Sequence, residues 1–99
     1  MEEMAKLAQI LSNPVRLRIL GILSQGPKHI YAISKELGES YPLTYLYLSS
    51  LEKAGLIQAT LVEGEQDERQ RKVYTLRNFE FKVSPETIRE LFARKGRQV

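Results

Sequence analysis

The side chains best suited to contact another molecule lie close together in the segment 41–49. Tyr41, Tyr45 and Ser49 carry hydroxyl groups, which can bind a phosphate oxygen or the edge of a base. Leu43 and Leu46 add apolar surface between them. The segment contains no arginine, which is the commonest side chain to contact guanine. If the segment contacts DNA, we expect it to use hydroxyl groups, apolar contacts and DNA shape, with modest sequence selectivity.

Basic side chains that could bind phosphate flank this segment. Lys35 precedes it, Lys53 follows it, and a second group of cations lies further along at Arg69, Arg71 and Lys72. Lysine and arginine that neutralise phosphates supply most of the affinity in non-specific DNA binding. Acidic residues precede the second group, and phosphate would repel them. The basic end of the stretch 63–72 could therefore lie along a DNA backbone. Alternatively, the stretch could be a solvated loop with internal ion pairs.

The residue types needed for catalysis or metal binding are scarce. The chain has no cysteine, which excludes a disulfide, a thiolate metal site and a cysteine nucleophile. His29 is the only histidine, and one imidazole with no second ligand in reach predicts neither a metal site nor a Ser-His-Asp triad. We expect His29 to be a turn residue. We also expect a protein that is not an enzyme and needs no cofactor or metal.

A helix over residues 40–54 must position the tyrosine and leucine side chains. Ser40 is a good N-cap residue, Pro42 suits the first turn, and Gly55 suits a left-handed residue at the end. Helical periodicity places four residues on one face, which we expect to face the core: Thr44, Tyr47, Leu48 and Leu51. The opposite face carries Pro42, Leu46, Ser49 and Lys53, and its flanks carry Leu43, Tyr45 and Ser50.

Other helices and two strands surround this helix. A short amphipathic helix over 1–11 precedes one that starts at Asn13-Pro14 and runs to about Ser24, with Leu17 and Leu20 widening its buried face. A third helix closes at Gly38, so that 29–54 forms a helix-turn-helix. Strand-like runs then predict a hairpin over 56–77 with a long polar tip. Alternating apolar residues at 79–83 predict either a third strand or an extended tether, and Ser84-Pro85 begins a last helix over 84–94.

The order of these elements predicts an α+β fold that is mostly α with a β-hairpin wing. This is a winged helix-turn-helix, in a single domain over 1–99. The first and last helices each carry a narrow apolar stripe that one chain alone would not cover. The stripes are Met4, Leu7, Ala8 and Leu11 in the first helix, and Ile88, Leu91 and Phe92 in the last. We therefore expect these two helices to mediate dimerisation.

Two segments resemble the ArsR-type winged-helix transcription regulators. The stretch 11–20, LSNPVRLRIL, resembles their opening motif. Ser40-Tyr41-Pro42 and the stretch 48–57, LSSLEKAGLI, resemble their recognition helix and its exit into the hairpin. The resemblance implies a DNA-binding repressor or activator that dimerises through its first and last helices. Two features depart from the family: there are no metal-binding cysteines, and Leu46 and Ser49 stand where such helices often carry arginine and lysine.

The sequence thus predicts a homodimeric transcription regulator, most simply a repressor, that binds double-stranded DNA. The helix 40–54 would enter the major groove and the wing 63–72 would follow the adjacent backbone. The alternative is a winged-helix module that uses the same exposed leucines and tyrosines to bind protein without DNA. The net charge of +3 favours a polyanionic partner only weakly. The acidic start and the lack of a long apolar run predict a cytoplasmic protein without a membrane segment.

Overall fold

The computed structural model describes residues 1–67 and 71–96, and the fold is the α+β winged helix-turn-helix that the sequence predicts. Its described elements comprise five helices and a three-stranded antiparallel sheet. In chain order they are α1 (Glu2–Leu11), α2 (Pro14–Leu23), β1 (Lys28–His29), α3 (Ile30–Leu37), α4 (Tyr41–Lys53), β2 (Ile57–Leu61), β3 (Lys72–Leu76) and α5 (Pro85–Gly96). Within the described residues, no helix is long and apolar enough to cross a membrane.

Side-chain caps fix the starts of the helices where the sequence predicts them. The Asn13 side chain accepts a hydrogen bond from the Val15 amide at 2.8 Å, and Pro14 occupies the first turn of α2. The Ser84 hydroxyl accepts from the Thr87 amide at 3.1 Å, and the Thr87 hydroxyl oxygen accepts from the Ser84 amide at 2.9 Å. Each cap satisfies amides of the first helical turn that have no partner inside the helix.

The core lies where α2, α3 and α4 meet the sheet. The buried apolar side chains are Ile19, Leu20, Leu23, Ile30, Ile33, Leu37, Leu48, Leu51, Leu56, Ile57 and Tyr74. The prediction that Leu17 widens the buried face of α2 is wrong, because this side chain is 50% exposed. Leu17 lies two residues from Ile19, which is about 200° around the helix, so it points away from the core.

The sheet has the order β1-β3-β2. Tyr74 of β3 pairs with Lys28 on one side and with Ala59 on the other. The hairpin of β2 and β3 confirms the predicted wing, but the third strand comes from residues 28–29. Residues 77–84 form no helix or strand, so of the two predicted alternatives, a third strand or an extended tether, the structure has the tether. Since β3 already pairs on both edges, the segment that follows it has no position beside it.

The last helix, α5, is set apart from the rest of the fold. It makes few contacts with the other elements, and the Cα radius of gyration is 16.2 Å. A compact chain of this length would have a radius of about 13 Å. The principal extents of 52 × 27 × 22 Å describe an elongated molecule. The apolar stripe of α5 is therefore left largely uncovered by its own chain.

Candidate nucleic-acid interface

The turn between α3 and α4 is built from a glycine and a serine cap. Gly38 ends α3 with φ of 76°, a left-handed conformation that favours glycine because it has no Cβ atom. The Ser40 hydroxyl accepts from the Leu43 amide at 3.3 Å, which starts α4 as predicted. The Thr44 hydroxyl donates to the Ser40 carbonyl at 2.8 Å. These contacts fix the direction in which α4 leaves the turn.

The inner face of α4 is the one predicted from helical periodicity. Thr44, Leu48 and Leu51 have no exposed surface. Tyr47 is half-buried and packs against the core, with the Arg16 guanidinium 5.9 Å from its ring centroid. An Arg16 Nη atom also lies 3.5 Å from the Ile10 carbonyl oxygen. Arg16 is therefore engaged within its own chain.

The outer face of α4 carries large apolar and aromatic side chains in solvent. Leu46 is 63% exposed, the highest value among the large hydrophobic residues of this helix. Tyr45, Tyr41 and Leu43 are 44%, 39% and 36% exposed. The remaining predicted contact residues are Ser40, Pro42 and Lys53, which are exposed, and Ser49, which is half-buried. Lys53 stands at the far end of α4, where it lines a groove against α1.

The base of the wing meets this surface. Lys72, at the start of β3, places its ammonium group 5.7 Å from the Tyr45 ring centroid, which is cation–π range. A shallow cavity of about 180 Å³ lies between the wing and α4, lined by Ile30, Tyr41, Tyr45, Arg71, Lys72 and Tyr74. Arg71 and Lys72 are thus brought beside the tyrosines of α4. The third predicted wing contact, Arg69, lies outside the described residues.

Tyr74 is the most buried side chain of the cavity lining. Desolvation raises the pKa of Tyr74 from 10.0 to about 12, and the charges of Glu52 and the neighbouring Tyr45 and Tyr41 add to the effect. Tyr74 is 1% exposed. Its hydroxyl therefore keeps its proton to a higher pH than an exposed tyrosine would, and the positive charge at this cavity comes from Arg71 and Lys72.

The lysines near α3 differ in their contacts. Lys35 is exposed, and its ammonium group lies 5.3 Å from the Tyr31 ring centroid. Lys28 is half-buried and forms a 3.3 Å ion pair with Glu36. Lys35 is therefore the better placed of the two to reach a phosphate.

His29 has a structural position that sequence reasoning missed. It is the last residue of β1 and the residue before α3, rather than a simple turn residue. Its Nδ1 atom lies 3.4 Å from the Lys72 carbonyl oxygen, which links the start of α3 to the base of the wing. A strand of two residues has no periodicity, so only the Lys28–Tyr74 and His29–Val73 pairing reveals it.

The predicted dimerisation residues divide into two groups. Leu7 and Leu11 are half-buried and pack partly on the chain's own core. Met4, Leu7 and Leu91 line a groove of about 340 Å³ between α1, the tether and α5. Ile88 and Phe92 are 41% and 65% exposed, and Ala8 is exposed as well. The described chain thus covers most of the α1 stripe in part and leaves Ile88 and Phe92 of the α5 stripe open.

No group of three or more His, Cys, Asp or Glu side chains in residues 1–67 and 71–96 is arranged to hold a metal ion. In the first part of the wing, the Glu65 carboxylate accepts a hydrogen bond from the Asp67 amide at 3.1 Å. That carboxylate therefore shapes the loop in which it lies. The expectation that the protein needs no metal stays a prediction.

Comparison with known proteins identifies the family to which the chain belongs. A family model described as bacterial regulatory protein, arsR family, matches residues 13–59. The chain is 41% identical over 91 residues to an uncharacterized HTH-type transcriptional regulator of Methanocaldococcus jannaschii, covering 91% of this chain and 93% of that protein. Its fold is similar to a homodimeric winged helix-turn-helix DNA-binding domain of Mycobacterium bovis, with 25% identity, a TM-score of 0.67 and coverage of 96% and 76%. It is also similar to the transcriptional repressor BigR of Xylella fastidiosa, with 20% identity, a TM-score of 0.67 and coverage of 94% and 86%. The chain belongs to the ArsR family of DNA-binding transcription regulators.

Proposed function

We propose that the chain works as a homodimeric repressor in the cytoplasm, neither an enzyme nor a metal sensor. It represses by occupying its DNA site. In each subunit α4 enters the major groove, and the wing 63–72 lies on the adjacent backbone. The residues that contact DNA are Lys35, Ser40, Tyr41, Pro42, Leu43, Tyr45, Leu46, Ser49, Lys53, Arg69, Arg71 and Lys72.

The observation that carries this proposal is the meeting of α4 and the wing base on one exposed surface. The N-terminal half of a recognition helix contacts base edges in helix-turn-helix proteins, and Leu43 and Leu46 stand in that half of α4. Lys72 and Arg71 lie at the wing base beside Tyr45 and Tyr41, on the flank of the same helix, and we expect them to reach the DNA backbone that borders the groove. Apolar and hydroxyl groups thus face the bases while cations face the phosphates.

Dimerisation is supported by the open apolar stripe of α5, where Ile88 and Phe92 are exposed. The M. bovis domain with the same fold is a homodimer. A two-fold pair would cover Ile88, Leu91 and Phe92 with the equivalent surface of a second copy. It would also place two α4 helices about 34 Å apart, which matches two half-sites one helical turn apart.

The experiment that tests the proposal is the salt dependence of binding to duplex DNA. A dimer with several cations in each subunit should make about 6 to 10 phosphate contacts, each releasing counterions. Affinity should then fall roughly a thousandfold or more from about 50 to 200 mM salt. Absence of binding to any duplex at the low-salt end would end the DNA assignment, and a protein partner would have to be sought for the same surface.

A further inference from the structure

We propose that α4 selects DNA by the 5-methyl groups of pyrimidines, so that the protein prefers sites that present thymine methyls in the major groove. Leu46 is the main contact and Leu43 the second. This inference rests on the proposed function, because it requires α4 to lie in the major groove. It goes beyond that function by naming the chemical feature of the DNA that is recognised.

The two leucines are exposed on the N-terminal half of α4. Leu46 is 63% exposed although the side chains two residues to either side, Thr44 and Leu48, are fully buried. Leu43 lies one helical turn before Leu46 and is 36% exposed. Together with Pro42 they form an apolar strip along the N-terminal half of α4, the half that meets base edges in this class of protein.

The cations near α4 lie away from the two leucines. Lys53 is the only basic residue of α4, and it lies seven residues after Leu46, or about 10 Å further along the helix axis. Arg71 and Lys72 stand at the wing base, beside Tyr45 and Tyr41 rather than on the outer strip of α4. No cation among the described side chains of α4 therefore stands where it could make the bidentate contact that recognises guanine.

Apolar contact is the kind of base recognition that the two leucines can provide. Among the base edges in the major groove, the 5-methyl group of thymine is the apolar one, and leucine can bury it. Cytosine presents an amino group at the neighbouring position and has no methyl group unless it is methylated. An apolar strip flanked by tyrosine hydroxyls and wing cations therefore fits a phosphate-bordered groove lined with methyl groups. A partner protein would not need the adjacent cations.

Two pairs of DNA polymers test the inference without knowledge of the natural site. An alternating dA-dT duplex and an alternating dA-dU duplex differ only in the 5-methyl group. An alternating dG-dC duplex and its 5-methylcytosine form differ in the same group. The wild-type protein should bind the methylated member of each pair more tightly. The expected ratio of Kd values is about fourfold for one buried methyl group and about fifteenfold for one in each subunit of a dimer.

Variants separate a direct contact from an effect of the methyl group on DNA shape. Leu46→Ala should bring the ratio of Kd values most of the way to one, and Leu46→Ala with Leu43→Ala should bring it to one. Leu17→Ala is the matched control, since it also shortens an exposed leucine but on α2, and it should keep the wild-type ratio.

The experiment distinguishes a failure of the methyl preference from a failure of DNA binding. A wild-type ratio of one with tight, salt-sensitive binding to all four polymers overturns the methyl inference and leaves DNA binding intact. A ratio that persists in Leu46→Ala also overturns it, because the preference would then reside in DNA shape. Lack of binding to every polymer at low salt removes the proposed function itself.

Discussion

Leu46→Arg tests whether the outer face of α4 lies against DNA. The side chain is 63% exposed, so the free energy of unfolding should change by no more than about 0.5 kcal/mol. In a dimer the change adds two cations. If each neutralises one phosphate, the slope of log affinity against log salt should steepen by about 1.8, at about 0.9 for each phosphate. Over the fourfold rise from about 50 to 200 mM, the variant should lose about twelvefold more affinity than the wild type.

The assay is fluorescence anisotropy of a labelled mixed-sequence duplex across that salt range, with thermal unfolding measured in parallel. Leu17→Arg adds the same charge at a 50% exposed leucine on α2 and should steepen the slope less. An equal slope for Leu46→Arg and the wild type would show that this face does not lie against DNA. A fall in Tm of many degrees would show instead that Leu46 is a core residue and that the description of α4 is wrong.

Two further predictions concern the core and the dimer. Because burial and nearby charge raise the pKa of Tyr74 to about 12, the unfolded chain loses this proton at lower pH than the folded chain. The contribution of Tyr74 to the free energy of unfolding is therefore present below pH 10.0 and should decline by about 2 kcal/mol as the pH rises to 12. Urea unfolding at each pH measures this decline, and the Tyr74→Phe variant should not show it. Leu91→Glu with Phe92→Glu should give a monomer in sedimentation, with much weaker DNA binding, because two charges would enter the covered stripe. A wild-type chain that sediments as a monomer at micromolar concentration would contradict the dimer.

The elements with local signals could be predicted from sequence. Ser40 and Asn13 cap their helices because a side-chain oxygen reaches amides only two or three residues away. Gly55 follows the C-cap residue of α4 and takes φ of 81°, as its position predicts. The inner face of α4 follows from a period of 3.6 residues, which needs no knowledge of the rest of the chain.

Features that depend on distant pairing could not be predicted. β1 exists only because residues 28–29 lie beside β3, more than forty positions later in the chain. The cation–π contact of Lys72 with Tyr45 likewise depends on how the wing returns to α4. The prediction that Leu17 lies on the buried face of α2 was wrong for a different reason. The side chain is hydrophobic, but its angle on the helix turns it toward solvent, and the angle decides its exposure. The contacts with DNA stay predictions at every named residue.

The central claim, that the outer face of α4 lies on DNA, can be tested most directly by site-specific crosslinking. The chain has no cysteine, so Leu46→Cys creates a single attachment site for a photoactivatable crosslinker. Leu17→Cys provides the matched control on α2. The Leu46→Cys conjugate should crosslink to mixed-sequence duplex DNA in a yield that falls as salt rises, while the Leu17→Cys conjugate should crosslink weakly at all salt concentrations. Equal yields from both positions, or a higher yield from Leu17→Cys, would contradict the placement of α4 on DNA.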